Sequence, residues 1–320
     1  MNRLCIDDKS FAHTATFRSI STREECAAVI ALEREIWGPN YDDAVPLALL
    51  LVTATRGSIL IGAFDDHDQM IGFVYSLQTV KNGVPMQWSY KLGVAPAHRN
   101  EGLGRRLKLL QRERALEMGI DLIEWTFDPM LAPNAYLNLS KLGAVAYEYA
   151  EDLYGQTLAP VLHRKIPTDR LLVSWQLQAR NVENRRSPVV VPEESRLMCT
   201  ALEKGVPANC TAQRGEWLEC SGIALDIEAP LLMVEIPLDY SKMVTCAPEA
   251  AMDWRLSIRQ ILKTYLGRGY GAVEFVADPS NGRGAYLLIP MSELSQSIPL
   301  FPEHSSQTEI GRRSISVGPR

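Results

Sequence analysis

The stretch from Gln87 to Gly119, QWSYKLGVAPAHRNEGLGRRLKLLQRERALEMG, constrains the fold more than any other part of the chain. Residues 87–94 alternate, with Trp88, Tyr90, Leu92 and Val94 on one side and Gln87, Ser89, Lys91 and Gly93 on the other, the two-residue period of a strand. Pro96 stops it. The polar turn Arg99-Asn100-Glu101-Gly102-Leu103-Gly104 then opens a run in which Leu103, Leu107, Leu110 and Met118 fall on one face at helical spacing and Arg105, Lys108 and Arg112 fall opposite, with Gly119 as the helix end. A strand, a glycine turn and a helix in succession gather unpaired backbone N–H groups and the positive end of a helix dipole at one spot, which suits a phosphate.

The rest of the chain bounds what that spot can serve. With 320 residues, two domains are expected. A net charge of -5 argues against a general nucleic-acid or anionic-membrane binder, which carries a basic excess. The N-terminus MNRLCIDDKS is polar where a signal peptide is apolar, and no run of eighteen apolar residues occurs, so a cytoplasmic protein is expected. Six cysteines without a C-x-x-C pair read as reduced thiols, and the five histidines show no metal-ligand spacing; no metal is expected.

Read in order, Thr14 to Ser19 is a short strand, and Ser21 with Glu24 forms a capping-box signature for a helix ended by Gly38-Pro39. A loop with Tyr41, Asp42 and Asp43 leads to a second helix, Pro46 to Thr55. Ser58 to Phe64 and Met70 to Gln78 form a hairpin, and Lys81-Asn82-Gly83 turns into the central strand and helix. Leu122 to Phe127 is a strand, Ala132 to Leu142 a helix closed by Gly143, and Ala144 to Glu151 a strand. From Thr168 the pattern restarts, with strands at 171–177, 231–236, 272–276 and 285–289, a helix at 252–266 and a loop at 181–196. The expected class is α/β with a mixed sheet. The expected domains are 10–165, a smaller α/β domain at 168–300 and a disordered tail at 301–320.

An isolated R-x-x-G-x-G is as well explained by an ordinary strand-turn-helix with a solvated basic face. A P-loop is absent, and Leu107 stands where a dinucleotide fingerprint needs its third glycine. Context separates the readings. Leu92-x-Val94-x-Pro96-x-x-Arg99-x-x-Gly102-x-Gly104, then a helix, a strand and Asn134 heading a helix that ends Lys141-Leu142-Gly143, resembles the GNAT superfamily of acyl-CoA N-acyltransferases. Trp125 to Pro129 and Asn134 to Ala144 are similar to a subset of that superfamily with a C-terminal extension. The resemblance covers a little under half of the chain.

The resemblance implies an N-acyltransferase that moves an acetyl or other short acyl group from acyl-CoA to a small-molecule primary amine, with an amino-acid-like acceptor as first choice and succinyl among the donors. Backbone N–H groups of Arg99, Asn100, Glu101, Gly102, Leu103 and Gly104 would hold the pyrophosphate, with the Arg99 and Arg105 side chains beside it. The edge near Leu92 and Val94 would pair with pantetheine, a splay between the strands at 87–94 and 122–127 would admit the thioester, and Asn134 would touch the cofactor arm. Such transfer needs a neutral amine, a polarised carbonyl and a proton donor for the thiolate. The tyrosine that often supplies that proton falls at Leu139 here. Tyr136 is the candidate replacement, against a packing role. Glu124 is the candidate base or water-positioning group, against a strand residue at the sheet's solvated end. Trp37 and Tyr41 are candidates to line the acceptor site, and Arg255 with Arg259 to fork an acceptor carboxylate. The alternative is a non-catalytic coenzyme-A-binding regulatory or scaffold protein. A homodimer is compatible with either.

Overall fold

The computed structural model describes residues 15–39, 41, 43–155, 166–185 and 204–292. The expected tail at 301–320 and most of the expected loop at 181–196 lie outside them; the start of that loop, residues 181–184, belongs instead to a helix, Arg180–Asn184. The first half runs β1 (Thr16–Ser19), α1 (Arg23–Trp37), α2 (Leu47–Ala54), β2 (Ile59–Phe64), β3 (Met70–Lys81), β4 (Val84–Val94), α3 (Leu103–Glu117) and β5 (Leu122–Phe127). It continues with α4 (Ala132–Ala135), which passes into a π-helical stretch, Tyr136–Lys141, then β6 (Val145–Ala150) and β7 (Arg170–Gln176). The second half adds α5 (Arg180–Asn184), β8 (Val206–Pro207), β9 (Asn209–Arg214), β10 (Trp217–Ile223), β11 (Leu232–Pro237), α6 (Tyr240–Cys246), α7 (Pro248–Gly267), β12 (Tyr270–Asp278) and β13 (Arg283–Pro290).

All the described strands except the β9–β10 hairpin join one sheet, in the order β1-β2-β3-β4-β5-β7-β6-β12-β13-β11-β8. The mixed α/β class is therefore as expected, but the boundary near 165–168 is not where the sheet divides. Arg170–Gln176, expected to open the second domain, lies between β5 and β6 and is antiparallel to both. Its fully buried Leu171, Val173 and Trp175 alternate into the core, so this strand supplies apolar surface that β5 and β6 need covered. The second half attaches beyond β6 through the pair Ala272–Ala146. The hairpin β9–β10 and helix α6 are additions to the sequence reading.

In the first half, alternation in β2 sends Ile59, Ile61 and Ala63 toward Leu103 and Leu107 of α3, and Leu60 and Phe64 toward Cys26, Val29 and Leu50 of α1 and α2. Helices therefore cover both faces. The hairpin between β3 and β4 turns on Asn82 and Gly83 alone, both at positive φ (51° and 81°), and this lengthens both strands beyond the expected ends. The capping box of α1 lies one residue later than Ser21 and Glu24: Thr22 Oγ1 accepts from the Glu25 N–H at 3.2 Å, and Glu25 Oε2 accepts from the Thr22 N–H at 3.4 Å. Arg18 holds the other Glu25 oxygen at 3.1 Å and so fixes that choice. Thr22→Ala is expected to lower stability by about 1 kcal/mol, read as a reduced urea midpoint, whereas Ser21→Ala should leave it unchanged.

Candidate active site

The β4–β5 ladder is parallel and consists of two pairs, Gln87–Ile123 and Trp88–Glu124. Beyond them β4 continues to Val94 and β5 to Phe127, and the two strands diverge into a gap. The chain leaving β4 turns into α3 at Gly102, the helix N-cap, which sits in the left-handed region at φ 79° and gives α3 no side-chain cap. Asn100 is also left-handed at φ 65°. Such a turn directs the first-turn N–H groups of α3 outward, so backbone donors and the dipole's positive end remain available to an anion. A Cβ on Gly104 would lie 3.8 Å from Leu92 Cδ2 and 3.9 Å from both Leu137 Cδ2 and Val94 Cγ2, which places its bare α-carbon against the end of β4 that β5 does not pair.

The sequence-nominated donor residues are only partly gathered there. Arg99 is exposed beside the turn, its Nε 3.5 Å from the Val94 carbonyl. Leu103 is buried in the core, while Glu101 faces His98 Nδ1 at 3.3 Å. Asn134 is exposed near the start of α4, where its N–H donates to the Leu131 carbonyl. Arg105 is turned elsewhere: its Nη2 donates to the Arg185 carbonyl at 2.8 Å. Arg185 in turn donates to the Leu139 carbonyl at 2.8 Å and pairs with Glu274 at 2.7 Å, so Arg105 belongs to a bridge between α3, the π-helical stretch and β12.

On the opposite face, β4 departs from simple alternation. Tyr75 pairs with Lys91 and Ser76 with Ser89, leaving Tyr90 as an extra residue in a bulge. Its consequence is that Tyr90 and Lys91 both turn toward α1 and the following loop, while Leu92 and Val94 turn toward α3. The expected division of faces therefore holds only up to the bulge. Lys91 Nζ lies 2.9 Å from Glu33 Oε1 and 3.6 Å from Asp43 Oδ2, and donates to the Asp43 carbonyl. Trp37, Tyr41 and Tyr90 surround the same ammonium, with ring centres 5.6, 4.7 and 5.4 Å away.

Trp37 and Tyr41 thus frame Lys91. Tyr41 and Tyr90 both donate to Asp43, at 3.1 and 3.3 Å. Burial, with Asp43 beside it, pushes the Tyr90 phenol up to about 12. Burial also raises the Glu33 carboxyl, against the pull of Lys91. Sequence reasoning missed Glu33 and Lys91. The available signal was Glu33 itself, a carboxylate one turn beyond Val29 on the apolar stripe of α1.

Glu124 is buried where the gap begins, and its Oε1 accepts from Lys81 Nζ at 2.7 Å and from the Tyr147 hydroxyl at 2.9 Å. It is neither at a solvated sheet end nor an unpartnered base. Two residues along the same face, Thr126 Oγ1 lies 3.2 Å from the Tyr154 hydroxyl. Tyr136 is half-buried at the start of the π-helical stretch, with Lys141 Nζ 5.4 Å from its ring, and Leu139 is fully buried. The arginine fork does not form. Arg255 grips Asp128 through two bonds of 2.8 and 2.7 Å, and Arg259 grips Asp169 through two of 2.8 and 2.7 Å. Both guanidiniums are spent on joining α7 to the first half.

No family model matches the chain, and no curated protein matches it in sequence. Solved structures do. The ribosomal-protein-S18-alanine N-acetyltransferase from Escherichia coli is similar at 14% identity over 51% of this chain and 94% of its own, with a TM-score of 0.41. The acetyltransferase of GNAT family from Streptococcus pneumoniae is similar at 15% identity over 50% and 97%, again with a TM-score of 0.41. A chain of the NatC complex bound to Gag peptide and CoA is similar at 13% identity over 51% and 98%, with a TM-score of 0.41. Each likeness spans about half of this chain and assigns no acceptor. The element order of the first half, and the β4 and β5 ends that run on past their two paired positions, are those that the sequence resemblance implies.

Proposed function

We propose that this chain is an acyl-CoA-dependent N-acyltransferase that moves an acetyl or other short acyl group to the primary amine of a small, amino-acid-like molecule. The observation that carries the reading is the gap that opens past Trp88 and Glu124 and leads to the uncapped N-terminus of α3 at Gly102. The turn from Arg99 to Gly104 supplies backbone donors to the pyrophosphate, with Arg99 alongside. The β4 edge at Leu92 and Val94 offers peptide groups to the pantetheine amides, and the thioester lies toward the closed end of the gap. The acceptor enters from the α1–α2 face. There Asp43, receiving two tyrosine hydroxyls, presents negative charge to an incoming ammonium and takes part in its deprotonation.

Calorimetric titration with acetyl-CoA and succinyl-CoA, followed by thiol release with a panel of amines, tests this reading. Expected results are micromolar binding and turnover with at least one amine, and absence of binding would sink it. The second reading, a coenzyme-A-binding regulatory protein, is favoured by buried Leu139 and by the Lys81 partner of Glu124. Binding without turnover across the panel would select it.

A further inference from the structure

Lys108 and Arg112, read from the sequence as part of the face opposite the leucines, are instead 2% and 3% exposed, and Lys108 stands where α3 packs on the sheet. Its Nζ lies 3.0 Å from Ser89 Oγ, 2.8 Å from Gln111 Oε1 and 3.6 Å from the centre of the Trp125 ring. Among the described residues these neutral groups, with the Trp175 ring at 5.4 Å, are its surroundings, and no carboxylate pairs with it. Fully buried lysines are nearly always paired, because an ammonium without a counter-charge is expensive in a low-dielectric interior. Burial accordingly pushes this group well below the usual lysine range.

Its position gives the anomaly a meaning. Ser89 and Trp125 are the residues immediately past Trp88 and Glu124, the last pair of the β4–β5 ladder. Lys108 therefore touches both strands where their pairing ends, from the same helix, α3, that carries Gly104 against Leu92 and Val94. We infer that Lys108 is the catalytic partner of the coenzyme A sulfur, stabilising and protonating the thiolate as it departs.

This rests on the acyl-CoA reading above and supplies the proton donor that Leu139 does not. The amine nitrogen bonds to the thioester carbon, and the carbon–sulfur bond breaks with its electron pair on sulfur. The depressed Lys108 amine takes up a proton only as negative charge develops on sulfur and passes it to the sulfur, while the attacking nitrogen releases its surplus proton to solvent, so one proton is taken up and one released. Among neutral dipoles the charged form of Lys108 is unfavourable beside an uncharged thioester and favoured beside a developing thiolate. Such a difference lowers the barrier, whereas an equal interaction with both states would not.

Comparing coenzyme A with desulfo-coenzyme A by calorimetry, across a pH range that brackets the thiol pKa, tests the contact directly. The wild-type protein is expected to prefer coenzyme A by about tenfold or more, as for a hydrogen bond to a charged group. Lys108→Met should abolish that preference while still binding both. The variant should fold, because replacing a buried unpaired charge with an apolar chain is often neutral or stabilising. Ser89 and Gln111 already bond each other, with Gln111 Nε2 3.1 Å from Ser89 Oγ.

In turnover with any accepted amine, Lys108→Met should lower kcat by about a hundredfold or more and remove the lysine titration from its pH profile. Equal binding of the two ligands by the wild-type protein, or a preference that survives in Lys108→Met, overturns the inference and leaves the acyl-CoA reading intact. If neither ligand binds, the reading itself fails and takes the inference with it.

Discussion

Arg255→Met is expected to destabilise the protein by about 3–5 kcal/mol, the range for removing one partner of a buried ion pair. Asp128 is buried, and burial alone would raise its pKa; the adjacent Arg255 guanidinium outweighs that and holds it below the usual carboxylate range. In the wild type its contribution to stability is therefore present above the unfolded carboxylate value, about 4, and is lost as pH falls through the lower folded value. Without Arg255, burial dominates and the sign reverses. The folded carboxyl then titrates above the unfolded one, so the deficit should shrink as pH falls toward 4.

Arg170 Nη1, 3.7 Å from Asp128 Oδ2, offers partial compensation and places the expected loss at the lower end of the range. Urea unfolding at neutral and acidic pH measures the effect, and Asp128→Asn in the Arg255→Met background should recover part of it. A deficit that does not change with pH would show that lost packing against Tyr240, rather than the stranded carboxylate, is responsible.

The same ion pair shows why the sequence disclosed the halves of the molecule better than their junction. Arg255 and Arg259, one turn apart on α7, were readable as a fork, but their partners lie 127 and 90 residues away, and no local pattern connects them. The position of β7 was hidden for the same reason. Leu171, Val173 and Trp175 specify a strand with a buried face, while its insertion between β5 and β6 depends on pairing across more than twenty residues of chain. Features written in adjacent residues were legible: the Asn82-Gly83 turn, the glycine turn before α3, and the stripe of Trp254, Ile258, Ile261 and Tyr265, all buried. The bulge at Tyr90 was not. An alternating sequence carries no mark of one residue skipped by its partner strand, and it is this bulge that turns Lys91 into the aromatic and acidic cluster.

Gly104→Trp is expected to weaken acyl-CoA binding by about a hundredfold or more while leaving the fold in place, an effect larger than that of losing one hydrogen bond. The position allows a clean test because its conformational demand is slight. Gly102, two residues earlier, needs the left-handed region at φ 79°, so a side chain there would strain the turn itself. Gly104 carries no such requirement, and a Cβ would meet Leu92, Leu137 and Val94 only at ordinary contact distances of 3.8 to 3.9 Å.

Gly104→Ala should therefore be stabilising, by about 0.5–1 kcal/mol for a helical glycine replaced by alanine, and should cost little affinity. The indole of the tryptophan variant reaches past those contacts into the gap that pantetheine must cross. The pair of variants separates space from backbone: alanine tests whether the site tolerates a Cβ, and tryptophan whether the gap is the ligand's path. Acyl-CoA binding by Gly104→Trp within about threefold of wild type, less than 1 kcal/mol, would mean that the ligand does not run between β4 and α3. The proposed alignment of pyrophosphate, pantetheine and Lys108 would then have no common axis.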